Sequence, residues 1–368
     1  MRFSVTYAIK GTAKEAKQKA DEICVEQTIE FPYELVKDEY IRNTVVGKVK
    51  SLKKAGPSLF HAEITYDEST AGNEFSQLLN VIFGNTSIKP GIKVEKIYLT
   101  PGILNNFNGP VFGVDGLRKL TGTYGRPLLC SAIKPMCTSA LKLAGMAYKF
   151  AQGGIDIIKD DHGLSDQAFS PFNERVSLVS KAVERSNKET GGHCLYAPNI
   201  TADSEAEIIR RAKYAKKSGA GALVISPGLT GFNAVRLVSS DSSIQLPILF
   251  HPALLGSFTA GKDCGISHYA LYGQIARLCG ADIVIFPNYG GRFSFSKDEC
   301  RSITDGCSDK MGVLKNILPG PGGGNTMERM PELKKFYGND VIFLMGGGLV
   351  AAGPDLTQNV MEFRKSIT

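Results

Sequence analysis

Lys159, Asp161 and His162 place an amine, a carboxylate and an imidazole at the end of the apolar stretch GGIDIIKDDHG. Side chains alternate faces along a strand, so Lys159 and Asp161 share one face and Asp160 takes the other. A single carboxylate is a meagre cage for Mg²⁺, which prefers hard oxygen ligands. A lysine supplies oxygen only when its neutral amine adds CO₂ as a carbamate, and burial helps by disfavouring the ammonium. The same spacing fits a plain Lys159–Asp161 ion pair equally well. Lys134, closing the run LLCSAIK, is a candidate for proton transfer if its amine is made less basic; the alternative is a counter-ion for Asp161 or for a phosphate. His251, after PILF, suits either orientation of a substrate hydroxyl or a satisfied place in the core. Two glycine triplets, Gly322, Gly323, Gly324 and Gly346, Gly347, Gly348, offer bare backbone N–H groups of the kind that hold phosphate.

The elements needed to bring these residues together are visible as a rhythm. From about residue 125, short apolar runs alternate with amphipathic helical segments eight times. The runs are 128–134, 156–161, 195–200, 222–227, 247–252, 282–287, 313–322 and 341–348. Apolar strands separated by helices predict a parallel sheet covered on its outer face, and eight such units predict a (β/α)8 barrel. Barrel enzymes keep their reactive groups at the strands' C-terminal ends. Those ends hold Lys134, then Lys159 to His162, Asn199, His251, Asn288 with Tyr289, and the two glycine triplets. The glycines follow the seventh and eighth strands, where barrels commonly bind phosphate. Residues 1–120 follow a βαββαβ order, which predicts a ferredoxin-like α+β domain ahead of a barrel over 121–368.

Composition narrows the class. The net charge of +7 is spread thinly, with no lysine or arginine run longer than two, so an anionic substrate suits it better than nucleic acid. No apolar run is long enough to span a bilayer, and no partner membrane is expected. The eight cysteines form no C-x-x-C pair, which points to free thiols in a reducing compartment. The N-terminus reads as a strand, so a cytoplasmic protein is expected.

In order and spacing, the segments SAIKP, GGIDIIKDDHG, LYAPNITAD, FHPALLGSF, GPGGGNTMERMPEL and MGGG resemble the large subunit of ribulose-bisphosphate carboxylase. The chain is most similar to the form IV, Rubisco-like members. The resemblance implies that Lys159 is the carbamylated lysine, Asp161 a metal ligand and Lys134 the lysine that moves protons during enolisation. It places Gly324, Gly346 and Gly347 on the phosphate turns. It also matches Asn85 to an asparagine that reaches the partner subunit's site, implying a homodimer with shared active sites. Departures accompany it. His162 stands where the carboxylase has a glutamate, Met136 replaces a lysine, and Pro252 replaces the arginine of the distal phosphate. The strand-6 loop presents no lysine for CO₂, so carboxylation is not expected. The implied reaction is metal-assisted enolate chemistry on a monophosphorylated keto sugar or keto acid, with Mg²⁺ or, given His162, another divalent ion. Decarboxylation of a 3-oxo sugar-acid phosphate is the leading expectation. The alternatives are a 2,3-diketo-phosphate enolase or sugar-phosphate isomerase of the methionine-salvage type, and a non-catalytic metabolite-binding protein. Asn85 occupies the position of that enolase's base, leaving Lys89 or Lys134 to take its place.

Overall fold

The computed structural model describes residues 1–291, 293 and 295–368, which fall into two compact units. The first comprises Met1–Phe107, Leu255–Ile275 and Lys310–Leu314, and the second the rest. In the first, β1 (Arg2–Lys10) pairs antiparallel with both β3 (Leu59–Asp67) and β4 (Ile92–Tyr98), while β2 (Lys48–Gly56) flanks β3. The order β4-β1-β3-β2 is that of a ferredoxin-like sheet. A two-residue strand, Gly265–Ile266, adds in parallel to β4. Helix Ala13–Glu26 starts in a capping box: the Thr12 hydroxyl accepts from the Glu15 N–H, and the Glu15 carboxylate accepts from the Thr12 N–H.

In the second unit, eight parallel strands run in chain order around a barrel. They are β5 (Leu128–Ile133), β6 (Ile157–Asp160), β7 (Leu195–Ala197), β8 (Leu223–Ile225), β9 (Ile248–Phe250), β10 (Ile283–Pro287), β11 (Leu318–Gly322) and β12 (Ile342–Leu344). β12 pairs with β5 through Ile342 and Leu128, and a single bridge between Asn199 and Val224 joins β7 to β8. The interior is filled by Leu128, Cys130, Ile157, Ala197, Val224, Leu249, Ile283, Leu318 and Ile342. Each fully buried Leu or Ile contributes about 1.5–3 kcal/mol relative to exposure. Helix Gly113–Thr121 belongs with this unit, since Leu117 packs into the same core. The run expected as a strand over 313–322 is one only from Leu318, because Val313 is 79% exposed and the polar Lys315 and Asn316, also exposed, interrupt it.

Two aspartates fasten the strands' N-terminal ends. Asp156, ahead of β6, accepts from the Leu129 N–H at 2.7 Å and from both Arg126 amines at 2.8 and 2.9 Å. Asp282, ahead of β10, accepts from the N–H groups of Phe112, Gly113 and Ile248. These carboxylates complete backbone hydrogen bonds that strand pairing leaves open, which fixes the register of the wall carrying the site.

Candidate active site at the barrel mouth

Lys159 faces into the barrel, in register with Ala132 on one side and Ala197 on the other. The two small neighbours leave room for its stem, and it is only 1% exposed. Its Nζ donates to the Asp160 carbonyl at 2.7 Å. Burial pushes its pKa down, opposed by Asp161, Cys130 and Asp160 and assisted by Lys134. This is the environment in which a lysine amine is most easily neutral.

Asp160, on the outer face, is fully buried and pairs with Arg175 at 3.0 Å. It also accepts from the Tyr196 hydroxyl at 2.8 Å and the Asn199 N–H at 3.0 Å. Alternation thus divides the motif: Asp160 anchors the strand end, and Lys159 and Asp161 face the mouth. Burial alone would raise the Asp161 pKa, but His162, Lys159 and Lys134 hold it down at about 2, so its carboxylate is ionised.

His162 lies with Nδ1 3.7 Å from Asp161 Oδ1, beyond ordinary hydrogen-bond length. Its ring stacks on His251, with centroids 4.5 Å apart and planes at 17°. Burial, together with Lys159 and His162, pushes the His251 pKa well below its usual value. His251 Nδ1 accepts from the Ala253 N–H at 3.2 Å, which leaves the ring proton on Nε2 as a donor.

Among the described residues, no three His, Cys, Asp or Glu side chains converge to hold a metal ion. A divalent ion fits here if Lys159 adds an oxygen donor as a carbamate beside Asp161 and His162. The buried amine next to an ionised carboxylate has the chemistry for that.

Lys134 is half-buried, and its Nζ lies against the second glycine turn: a Cβ on Gly346 would come within 3.1 Å of it. Gly323, at φ +80°, and Gly347 have open space where a side chain would stand, so their backbone is accessible. Gly324, at φ +70°, passes so close to the chain at Gly291 that a Cβ would sit 2.6 Å from its Cα. Gly322, by contrast, is buried in the wall of β11, where a Cβ would strike Leu344.

Other expected residues have structural work. Asn199 Nδ2 donates to the His162 and Leu164 carbonyls at 3.1 and 2.9 Å, and its Oδ1 accepts from the Thr201 N–H. Its amide clamps the loop that carries Asp161 and His162; a direct contact with substrate is not what these bonds serve. Asn288 donates to Asn325 at 2.7 Å, and Asn325 donates to the Pro321 and Leu344 carbonyls. These two amides tie the ends of β10, β11 and β12 together. Tyr289 donates to Glu332. Asn85 is exposed on the N-terminal unit and donates to Glu26 and to Glu30.

Sequence reasoning passed over Asn325 and Arg175. Arg175 has a signal, as a charge within the buried stripe of helix Phe172–Thr190, opposite a strand aspartate. Ser226, at the end of β8, is fully buried, and its hydroxyl has no hydrogen-bond partner among the described residues.

Known proteins resemble this chain along its whole length. Residues 113–354 match the model of the ribulose bisphosphate carboxylase large chain, catalytic domain. A 5-methylthioribulose-1-phosphate isomerase of Rhodospirillum rubrum is 35% identical over 100% of this chain and 96% of its own. A 2,3-diketo-5-methylthiopentyl-1-phosphate enolase of Bacillus velezensis is 32% identical over 94% of this chain and 86% of its own. The crystal structure of a Rubisco-like protein from Rhodopseudomonas palustris superposes with a TM-score of 0.90 at 36% identity, covering 100% of this chain and 97% of that one.

Proposed function

The chain belongs to the ribulose bisphosphate carboxylase large-chain family, and from that premise we propose that it is an enolising isomerase or tautomerase of a monophosphorylated keto sugar. The observation that carries this reading is the position of Lys134. Its amine is within electrostatic reach of Lys159 and Asp161 and lies against the glycine turn at Gly346. A substrate held by its phosphate at Gly323, Gly324, Gly346 and Gly347 presents its carbon skeleton to a proton-transfer group at that point.

Lys159 as a carbamate, Asp161 and His162 would hold a divalent ion, which would supply Lewis-acid polarisation of the substrate's ketone. The protein's own groups do the rest. Lys134 takes a proton from the carbon beside the ketone. Returned to the former carbonyl carbon, with the adjacent hydroxyl proton passing to the old ketone oxygen, it moves the carbonyl along the chain; returned to the ketone oxygen, it leaves the enol. The His251 Nε2–H orients a substrate hydroxyl, and the Asn199 clamp keeps Asp161 and His162 in place. Decarboxylation of a 3-oxo acid passes through the same kind of enolate with CO₂ as the leaving group. The relatives' names, an isomerase and an enolase, favour proton transfer.

The test is NMR in D₂O with Mg²⁺ and bicarbonate, offering 5-methylthioribulose 1-phosphate and 2,3-diketo-5-methylthiopentyl 1-phosphate. Deuterium is expected at the carbon next to the ketone, and Lys134→Met should slow its entry by about 10²-fold or more. Exchange that persists unchanged in Lys134→Met refutes the assignment of the base. No exchange with either compound refutes the enolising reading and favours a metabolite-binding protein. In parallel, ¹³C-bicarbonate should give a carbamate resonance that Lys159→Met abolishes.

A further inference from the structure

A second cavity, of about 700 Å³, opens at the opposite end of the barrel, where β5, β6 and β7 begin. Its size falls in the range of small-molecule sites. Its one acidic side chain, Asp156, is saturated: Oδ1 accepts from Thr123 and Arg126, and Oδ2 from Arg126 and the Leu129 N–H. Asn187 is likewise engaged, through both ends of its amide, with the Cys194 backbone.

What is left available is a guanidinium, an ammonium and an imidazole. The exposed Arg364 guanidinium lies across Gly154, whose Cβ position is 2.5 Å from Arg364 Nη1; Gly154 is at φ +85°, so the approach depends on a glycine. No hydrogen bond or ion pair among the described residues engages that guanidinium. Lys365 follows it and, among the described residues, makes only a solvent-exposed pair with Glu362. The exposed ring of His193 lies across Gly122, within 3.0 Å of the position a Cβ would take. An arginine without a partner among the described residues, a loosely held lysine and an imidazole thus surround a space whose one side-chain carboxylate, Asp156, is already satisfied, and whose Thr368 carboxylate end accepts from Lys334 at 2.8 Å. Such a donor set matches an anion, and the planar guanidinium suits phosphate oxygens. The volume leaves room for an organic body beside the anion.

We propose that this cavity binds a small phosphorylated metabolite through Arg364, Lys365 and His193, at a site separate from the barrel mouth. β6 runs between the two ends, with Asp156 ahead of it and Lys159 and Asp161 at its far end, so the sites share one strand.

The test uses the full chain and the imidazole resonances of its five histidines, with His193 assigned through His193→Gln. Ribose 5-phosphate is expected to shift the His193 signal saturably, and ribose is not. Inorganic phosphate should move the same signal with weaker affinity. Arg364 is exposed and unpaired, so Arg364→Gln should fold normally and weaken binding by about tenfold or more, the weight of a charged hydrogen bond. Lys134→Met, at the other end, should leave the titration unchanged. The site is refuted by a His193 signal that no phosphate moves, or by unaltered affinity in Arg364→Gln. Equal affinity for inorganic phosphate and ribose 5-phosphate overturns the metabolite reading.

Discussion

At the scale of single residues, the mouth depends on which groups face it and which are engaged elsewhere. Asn199 is buried and bonded at both ends of its amide, so Asn199→Ala leaves loop carbonyls without donors and costs about 1–3 kcal/mol. A larger effect on metal affinity than on thermal stability is expected, since the freed loop carries Asp161 and His162; calorimetry and metal titration on the same variant check it. The pH response has a definite sign. The Asp161 carboxyl sits at about 2 in the fold, against about 3.9 for an unperturbed aspartate. The stability it contributes is therefore complete above about pH 4 and is lost as pH falls toward 2. Asp161→Asn should flatten that acid limb in pH-dependent urea unfolding. Lys159 and Asp161 were legible in the sequence because strand alternation separates them from Asp160. The role of Asn199 was not, since a polar residue at a strand end looks the same whether it faces substrate or a loop.

At the scale of elements, β6 is a four-residue strand whose end is held from outside the barrel by Arg175 and Tyr196. Both Asp160 and Arg175 are fully buried, so Arg175→Met leaves a carboxylate unpaired and should cost about 3–5 kcal/mol, read as a fall in the urea midpoint. The eight strands were visible because each is an apolar run between amphipathic helices. The seventh was overextended because its flanking residues include isolated apolar side chains, such as Val313, that the fold leaves in solvent. The glycine turns were visible as composition, but their division of labour was not. Gly322 belongs to the wall, Gly323 and Gly347 present open backbone, and Gly324 is fixed by its approach to Gly291. Gly324→Ala should raise KM for a phosphorylated substrate while sparing kcat; an unchanged KM counts against phosphate at this turn.

At the scale of the whole molecule, the shared site implied by Asn85 makes a prediction that needs two chains. If a homodimer joins the Asn85 of one protomer to the Lys159 of its partner, Asn85→Ala and Lys159→Met proteins, each impaired alone, should regain activity when unfolded together and refolded. Failure to complement, with mixed dimers demonstrated, places Asn85 outside the site. The barrel was legible from its eightfold rhythm, whereas the point of closure was not, because pairing between strands leaves no local mark in sequence. That closure has a consequence of its own. β7 meets β8 by the bridge between Asn199 and Val224, supported by the N–H of Ile200 on Val224 and the N–H of Val224 on Pro198. The residue that fastens this seam is also the one that grips the loop of Asp161 and His162. Any breathing of the barrel wall there loosens the reactive loop in the same movement, so slow amide exchange at Ile200 and Val224 would report on readiness for catalysis as directly as an assay does.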